Sequence, residues 1–360
     1  MPNAERIISV AEALCEATKV AMERDSKIYV IGEGVTDPKA IFETTRGLLD
    51  AFGPKRVIEM PVAENGLTGI AIGSAMMGRK PLMVHQRVDF AMLSLEQLFN
   101  NAAKAYYASN GKHSVPLVVR MIIGRGWGQG PAHSQSLESL FASIPGLKVV
   151  MPTTAYEAKG QLIAALEDGN PIMFLEHRWV HYVTGHVPTG YYTVPLTSRR
   201  VRDGNDVTIV ATSYMLFEAM MAADFLAEAN ISAEIIDLAV LRPLDMTPIM
   251  DSVRKTGRLV TADTGFRTLG MGAELVAEVA CRDMSCLLAP PVRVGLPDHP
   301  TPSSRSLAIG YYRTAIDVFD AAVTTCGVAP QTVATIRERL ATKRNALPSD
   351  VPTPAFKGPF

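Results

Sequence analysis

Glu64 is the one carboxylate in a run of small and apolar residues, PVAENGLTGIAIGSAM, at positions 61–76. A carboxylate in such surroundings loses hydration, so it needs a hydrogen-bond partner or a bound proton. Two interpretations fit this run by itself. Glu64 either caps the helix predicted over residues 66–77, partly in solvent, or makes a hydrogen bond that a functional site requires.

A second candidate for chemistry is His133, in the glycine-rich stretch GRGWGQGPAHSQ at positions 124–135. Histidine titrates near neutral pH, so it can accept or donate a proton in a reaction. Glycine-rich loops often carry such residues. This stretch lacks the lysine and the Ser/Thr that complete a phosphate-binding loop. The alternative is a loop histidine that bonds only to backbone groups.

Apolar runs alternate with amphipathic segments along the chain, which predicts an α/β fold with parallel sheets covered on both faces. In the first half, the predicted strands are 26–32, 57–60, 81–84, 115–123, 148–151 and 171–175, and the predicted helices are 8–23, 66–77, 93–107 and 155–166. In the second half, the predicted strands are 207–212, 233–237, 258–262 and 292–295, and the predicted helices are 216–229, 247–256 and 271–281.

The pattern predicts two doubly wound domains, at residues 1–187 and 207–330. An irregular segment at 188–206, with prolines, glycines and basic residues, is predicted to link them. A tail at 331–360 holds one short predicted helix and ends in LPSDVPTPAFKGPF, whose prolines favour an extended or partner-bound segment.

Composition excludes several classes of function. The 360 residues carry a formal net charge of −1, with 48% hydrophobic and 20% charged residues. This balance is ordinary for a globular protein and gives no electrostatic footprint for nucleic acid or an anionic membrane. No apolar run approaches the roughly 20 residues of a membrane span, and the four cysteines show no metal-ligand spacing. The sequence predicts a cytoplasmic protein that binds neither nucleic acid nor membrane.

Six stretches follow one another in a specific order: FGPKRVIEMPVAENGLTGIAIGSAMMG, NAAKAYYASNGKHSVPLVVR, HSQSLESLFASIPGLKVVMPTTAYEAKG, EDGNPIMFLEH, IDLAVLRPLDMTPIMDSVRKTGR and LPDHPTP. With them, residues 7–323 resemble the β subunit of the thiamine-diphosphate-dependent first component of 2-oxo acid dehydrogenase complexes. That family includes pyruvate, branched-chain and acetoin types and belongs to the transketolase-like superfamily. The resemblance implies a pyrimidine-binding domain followed by a transketolase-type C-terminal domain.

The resemblance also implies roles for the candidate residues. The family pattern P-x-x-E-x-G-x-x-G has a glutamate that bonds to the pyrimidine ring nitrogen of thiamine diphosphate, and Glu64 occupies that position. This bond helps the cofactor to lose its thiazolium proton. Gln86 and Phe90 are implied neighbours of the cofactor. His133 aligns with a histidine placed over the reacting carbon, where it stabilises the carbonyl oxygen of the oxo acid and passes protons.

Metal ligands are implied to come largely from another chain. Family members with a whole site in one chain carry a GDG motif and a later asparagine, which hold magnesium and the diphosphate. The sequences EDG at 167–169 and DG at 203–204 lack that context. A separate α subunit is therefore implied to supply the magnesium ligands, in an α2β2 heterotetramer with the cofactor at the subunit interface.

Some β subunits of this family also bind potassium through carbonyl oxygens. The matching positions in this chain are Leu117, Ala165, Leu166, Asp168 and Asn170. The alternative is that Asp168 simply caps a turn. In either case the role is structural.

The segment PLMVHQRVDF at 81–90 departs from the family pattern P-V-x-E-I-Q-F-x-D-F. It has Val84 at the acidic position, His85 at an apolar position and Arg87 at the aromatic position beside the cofactor ring. An arginine offers a fixed fork for carboxylate or phosphate, so His85 and Arg87 are candidates for substrate contact. The alternative is that both face an α-subunit surface. In the histidine loop, Trp127 is added and Ala132 replaces a glutamine.

Three hypotheses about function follow. The leading one is decarboxylation of a 2-oxo acid with transfer of the acyl group to a lipoyl carrier, which makes a lipoyl acyltransferase a candidate partner. The alternative is a split transketolase-like carboligase that transfers an activated aldehyde to a carbonyl acceptor, and the polar Arg87 and His85 favour it. A non-catalytic assembly subunit is the third, and the retention of both Glu64 and His133 argues against it.

Overall fold

The computed structural model describes residues 6–39, 41–124 and 128–346, and these residues form two compact units. The first unit holds the described residues up to 123 and residues 140–196. The second unit holds the described residues of 124–139 and those from 197 onward. Trp127 and the proline-rich end of the tail lie outside the described residues.

The structure gives the following bounds for the regular elements. In chain order, the strands are β1 (Ile7–Ser9), β2 (Ile28–Gly32), β3 (Val57–Glu59), β4 (Lys80–His85), β5 (Val118–Ile123), β6 (Lys148–Val150), β7 (Ile172–His177), β8 (Thr184–His186), β9 (Arg199–Arg202), β10 (Val207–Ala211), β11 (Ala233–Asp237), β12 (Val240–Arg242), β13 (Leu259–Phe266) and β14 (Val292–Leu296). The α-helices are α1 (Val10–Arg24), α2 (Leu48–Phe52), α3 (Glu64–Met76), α4 (Val88–Ala91), α5 (Ala103–Ala108), α6 (Glu138–Ala142), α7 (Ala155–Asp168), α8 (Met215–Glu228), α9 (Thr247–Thr256), α10 (Met271–Asp283), α11 (Arg305–Ala308), α12 (Ala315–Thr325) and α13 (Ala334–Arg344).

The first unit is built on parallel strands in the order β6-β7-β5-β4-β2-β3. Every residue of β2 (IYVIG) and of β7 (IMFLEH) is buried, as in a sheet covered on both faces. Helices α1 and α7 start at capping boxes, Ser9 with Glu12 and Thr154 with Glu157, which satisfy first-turn N–H groups. The predicted α/β fold is confirmed.

The second unit is built on five strands in the order β14-β13-β10-β11-β9, of which β9 alone runs antiparallel to its neighbour. Strand β9 occupies residues 199–202, inside the segment that the sequence predicted as a linker. Gly204 follows this strand, and a Cβ there would stand 2.1 Å from the carbonyl carbon of Ala233. A side chain therefore does not fit at this close approach of two backbones.

The predicted helix at 93–107 is interrupted. Its residues form a 3₁₀ turn (Met92–Ser94), a π-helical segment (Gln97–Ala102) and then α5. Inside the π-helical segment, the side-chain amide of Asn101 donates to the side-chain oxygen of Gln97 at 2.8 Å. The apolar periodicity of the sequence does not distinguish these three helical forms from one continuous α-helix.

Helix α12 is absent from the sequence prediction, although its start carries a recognisable signal. Thr314 and Asp317 form a capping box there. Every helix in residues 6–39, 41–124 and 128–346 is too short or too polar to cross a lipid bilayer.

Glu218 connects three helices of the second unit. Its carboxylate accepts from the guanidinium of Arg344 on α13 at 2.9 Å and from the backbone N–H of Ala315 at the start of α12 at 2.8 Å. The hydroxyl of Tyr214 donates to it at 3.0 Å. Glu218 itself lies on α8 and is buried. The last described helix is therefore attached through a buried ion pair.

Replacing Arg344 with alanine should lower the free energy of unfolding by about 3 kcal/mol, because it leaves the Glu218 carboxylate buried with its charge unpaired. Arg339→Ala is the matched control, since Arg339 also lies on α13 and pairs with Glu228, an exposed residue of α8. This substitution should lower the free energy of unfolding by about 1 kcal/mol or less. Urea denaturation of both variants measures the difference. An equal decrease in the free energy of unfolding for the two variants would show that the buried Glu218–Arg344 pair contributes no more than an exposed pair.

Candidate functional site

Three glutamates lie at the carboxyl edge of the first-unit sheet. Glu33 follows the last residue of β2, Glu59 ends β3, and Glu64 is the first residue of α3. The carboxyl ends of parallel strands meet at one edge, which is where α/β sheets bind ligands. Glu64 is only 3% exposed. The interpretation that Glu64 caps a helix partly in solvent is therefore wrong, because its side chain is buried.

Glu33 and Glu64 interact through their carboxyl groups. Burial, with the nearby negative charges of Glu64 and then Glu59, raises the pKa of Glu33 above its ordinary value. One carboxyl oxygen of Glu33 (Oε1) is buried and has no hydrogen-bond partner among the described residues. Glu33 is therefore the carboxyl group of this edge that keeps its proton to a higher pH than a free glutamate.

Glu59 has a different role from the other two glutamates. Its carboxylate accepts from the backbone N–H of Gly34 at 2.6 Å, and from the N–H and hydroxyl of Thr36 at 3.1 and 2.8 Å. These bonds fix the turn after β2, where Glu33 lies. Gly34 has a φ of +73°, and a Cβ there would stand 2.9 Å from the side-chain nitrogen of Gln86. Glycine at this position therefore lets Gln86 approach the turn.

The residues at the end of β4 lie at the same edge. The exposed side chain of Gln86 donates to the carbonyl oxygen of Glu33 at 3.4 Å. His85 and Arg87 are 3% and 2% exposed, so both are buried within this chain and neither presents a surface for another subunit. Arg87 precedes α4 as its N-cap, and Phe90 lies half-buried on α4.

His85 is held uncharged at neutral pH. Burial lowers the pKa of its imidazole to about 4. Its Nε2 atom is buried and has no hydrogen-bond partner in the described part of the chain. A neutral imidazole with an uncommitted nitrogen can donate or accept one hydrogen bond, depending on its tautomer.

His133 belongs to the second unit, in the segment 128–139. Its backbone N–H donates to the carbonyl oxygen of Gly130 at 3.4 Å, and its side chain is half-buried. Gly130 has a φ of +69°, and a Cβ there would stand 2.3 Å from the hydroxyl oxygen of Ser303, so only glycine fits. A cleft of about 490 Å³ adjoins the segment; among its lining residues are Pro131, Gln135, Phe266, Leu269, Asp298 and His299.

Two of the residues predicted to bind potassium, Asp168 and Asn170, are hydrogen-bonded to each other, and Asp168 also pairs with Lys148. Asp168 ends α7, its carboxylate accepts from the Lys148 ammonium at 2.5 Å, and its other oxygen accepts from the Asn170 amide at 2.7 Å. The carbonyl oxygen of Leu117 accepts from the backbone N–H of Ile172 at 2.9 Å. Among the described residues, no group of three or more His, Cys, Asp or Glu side chains is arranged to hold a metal ion.

Sequence reasoning missed Glu33 and also a buried carboxyl pair in the second unit, Glu138 with Asp263. The signal for Glu33 was a glutamate between two glycines directly after a buried strand. Glu138 had a weaker signal, a lone charge in the segment HSQSLESLFA at 133–142. Its partner lies far away in the sequence, and no local pattern indicates such a pair.

Comparison with known proteins agrees with this geometry. The family profile "Transketolase, pyrimidine binding domain" matches residues 6–180, and "Transketolase, C-terminal domain" matches residues 197–315. The mitochondrial pyruvate dehydrogenase E1 component subunit beta of Pisum sativum is 39% identical over 305 residues, covering 83% of this chain and 85% of that protein. The subunit beta of acetoin:2,6-dichlorophenolindophenol oxidoreductase from Bacillus subtilis (strain 168) is 38% identical over 322 residues, covering 86% and 94%.

A solved structure described as a split gene transketolase, inactive beta4 tetramer, superposes with a TM-score of 0.74 at 25% identity, covering 89% of this chain and 99% of that one. Fold and site together define an α/β protein with a pyrimidine-binding domain and a transketolase-type C-terminal domain. The chain belongs to the family of β subunits of the 2-oxo acid dehydrogenase E1 component. The resemblance seen in the sequence is confirmed.

Replacing Glu64 with glutamine should lower the pKa of Glu33, because it removes the closest negative charge that opposes ionisation of Glu33. Carbon NMR titration of labelled glutamate carboxyl groups in the isolated chain measures this shift. Glu23→Gln is the control, since Glu23 is exposed on α1. An unchanged Glu33 titration in the Glu64 variant would contradict the direct interaction of the two carboxyl groups.

Proposed function

We propose that this chain is the β subunit of a thiamine-diphosphate-dependent enzyme that decarboxylates a 2-oxo acid and transfers the acyl group to a lipoyl carrier. The observation that carries the proposal is the buried Glu64 at the start of α3, with the Glu33 carboxyl beside it. The β-subunit relatives support the same reaction class.

The residues present fit the aminopyrimidine end of thiamine diphosphate. A buried carboxyl that can hold or share a proton suits a basic ring nitrogen, and Glu33 offers a buried oxygen with no partner among the described residues. When bound, the cofactor supplies an electron sink for loss of carbon dioxide. Glu64 would hold the ring nitrogen, and Gln86 and Phe90 would line the ring from the end of β4 and from α4.

His133 would act on the oxo acid itself. An imidazole can donate a hydrogen bond to the carbonyl oxygen of the substrate and return a proton later in the reaction. The glycine at 130 allows the tight turn from which His133 is presented.

An α subunit would complete the site with magnesium and diphosphate ligands, in an α2β2 heterotetramer. Helix α3 offers a face for it. Positions Gly66 and Gly73 have open space where a Cβ would stand, and Ile70 and Met77 are 62% and 85% exposed. An exposed apolar face with small residues lets a second helix pack closely, and such patches mark protein interfaces.

Further partners follow from the same proposal. A lipoyl acyltransferase would receive the acyl group, and a cytoplasmic location fits the sequence. Potassium would be structural, held by carbonyl oxygens in the last turn of α7, where helix carbonyls lack intrahelical partners. The Asp168 carboxylate is already neutralised by Lys148, so the carbonyl groups of Ala165 and Leu166 would carry most of the coordination.

A split transketolase-like carboligase is the second candidate function. The residue types of His85 and Arg87 favour it, because polar or phosphorylated acceptors need such hydrogen-bond donors. The similarity to a split gene transketolase is a second point in its favour. Co-expression with an α subunit, followed by a screen of 2-oxo acids with and without a lipoyl acceptor, separates the two functions. Product formation that depends on lipoyl acceptor supports the dehydrogenase.

Replacing Glu64 with glutamine should slow hydrogen–deuterium exchange at the thiazolium carbon about 100-fold or more in the assembled enzyme, because proton sharing with the ring nitrogen is lost. The circular dichroism spectrum should stay unchanged. Proton NMR of quenched samples measures the exchange, and Glu23→Gln serves as the exposed control. Near-normal exchange in the Glu64 variant would refute the cofactor role.

Replacing Arg87 with phenylalanine should raise KM for an anionic or polar substrate about ten- to a hundredfold, since a charge-assisted bond typically contributes roughly 1.5–3 kcal/mol. The same change should improve relative use of a small apolar 2-oxo acid. Arg282→Phe, on the exposed face of α10, is the control. An unchanged ratio of kcat/KM for the two substrates would exclude Arg87 from specificity.

A further inference from the structure

Two carboxyl groups lie buried together in the second unit, on the segment that carries His133. Glu138 is 1% exposed and stands five positions after His133. Asp263 is 4% exposed and belongs to β13. Between His133 and Glu138, the side chains of Ser134 and Ser136 are also buried, so this short stretch is held firmly in the unit.

Hydrogen-bond donors are shared unequally between the two carboxyl groups. Asp263 accepts from the hydroxyl of Thr212 at 3.1 Å and from the backbone N–H groups of Gly265 and Gly272 at 3.1 and 3.2 Å. Three donors stabilise its ionised form. Glu138 accepts from the hydroxyl of Thr264 at 3.0 Å through one oxygen.

The other oxygen of Glu138, Oε2, is buried and receives no hydrogen bond from the described residues. A buried carboxyl oxygen that receives no hydrogen bond favours the protonated form of its group. This holds more strongly when the neighbouring carboxylate already accepts several hydrogen bonds. Glu138 is therefore the group of the pair that holds the proton, and its side chain interacts with that of Asp263. Both carboxyl groups lie next to Gly265. A Cβ at this position would stand 2.6 Å from Glu138 Oε1 and 3.6 Å from Asp263 Oδ1.

The electrostatics agree with this assignment. Burial and then the charge of Asp263 raise the pKa of Glu138 to about 8. Asp263 of β13 is the charged group that acts on Glu138. From the other elements packed at the pair, Thr212 after β10 contributes a hydroxyl and Gly272 of α10 contributes a backbone N–H, and neither titrates.

We infer that the Glu138–Asp263 pair is a proton-dependent anchor that holds the His133 segment on the second unit, which makes Glu138 a positioning residue for the reaction. This inference rests on the proposed function of His133. Within the second unit, the anchor joins Glu138 to Asp263 and Thr264 of β13 and to Thr212, which follows β10. His133 is thereby attached to rigid elements close by in the sequence.

The sign of the pH dependence follows from proton counting. The anchored Glu138 binds one proton up to about pH 8, whereas a released Glu138 in water loses it near its ordinary pKa of 4.5. Release therefore frees one proton at intermediate pH and becomes about tenfold easier with each pH unit in that window. Above about pH 8 the anchored pair is ionised as well, and the dependence ends.

Hydrogen exchange of the full chain, read by mass spectrometry over residues 134–142 at two values of pH inside this window and one unit apart, tests the inference. The Glu138→Gln variant is the reference, because its amide donates to Asp263 and accepts from Thr264 without a titrating proton. The ratio of opening constants, wild type over Glu138→Gln, should rise about tenfold between the two conditions.

Glu234→Gln is the matched control, since Glu234 is a buried glutamate of the same unit that is ion-paired to Lys255. It should leave the pH dependence of residues 134–142 as in wild type. The same pH dependence in wild type and in Glu138→Gln would overturn the anchor.

A second measurement tests whether Glu138 positions His133 for the reaction. In the assembled enzyme, the alkaline fall in kcat should move to higher pH in Glu138→Gln, and Glu138→Ala should lose kcat at every pH. If the exchange result holds and the pH profile of Glu138→Gln matches wild type, the positioning role is overturned. The exchange arm uses no activity, so its outcome is independent of the test of Glu64.

Discussion

The interaction between the buried Glu64 and the half-buried Glu33 is the one on which the candidate site of the first unit depends. Burial and the neighbouring Glu64 carboxyl raise the pKa of Glu33 above its ordinary value. The parallel sheet makes the contact possible because β2 ends beside β3 and β4. The Glu59 carboxylate accepts hydrogen bonds from the turn after β2, and these bonds hold Glu33 in place.

Each unit thus places acidic chemistry at the carboxyl ends of its parallel strands. In the first unit, Glu33 and Glu64 lie at the sheet edge where α/β proteins bind ligands. In the second unit, Glu138 accepts from the Thr264 hydroxyl and Asp263 accepts from two backbone N–H groups, and the proposed role of the pair is to hold a segment. The same physical principle, the influence of one carboxyl group on the ionisation of its neighbour, is therefore proposed to support chemistry in one place and positioning in the other.

The sequence was sufficient for the features that local patterns encode. Buried parallel strands are predicted from apolar runs such as IYVIG. Glu64 was recognised because it is a lone charge in the small and apolar run that forms α3. Glu33 was missed because its meaning depends on the strand order that brings it to Glu64. Whether His85 and Arg87 are buried also depends on tertiary packing, and the structure decides against an exposed surface. Helix α12, by contrast, carried a local capping signal that apolar periodicity alone overlooked.

The central claim is that this chain holds the pyrimidine half of a thiamine diphosphate site and needs an α subunit for the diphosphate half. Calorimetric titration of thiamine diphosphate, with and without magnesium, into the isolated chain and into the co-expressed α–β complex tests it most directly. The account predicts weak, magnesium-independent binding to the isolated chain and tight, magnesium-dependent binding to the complex. Tight, magnesium-dependent binding to the isolated chain would contradict it.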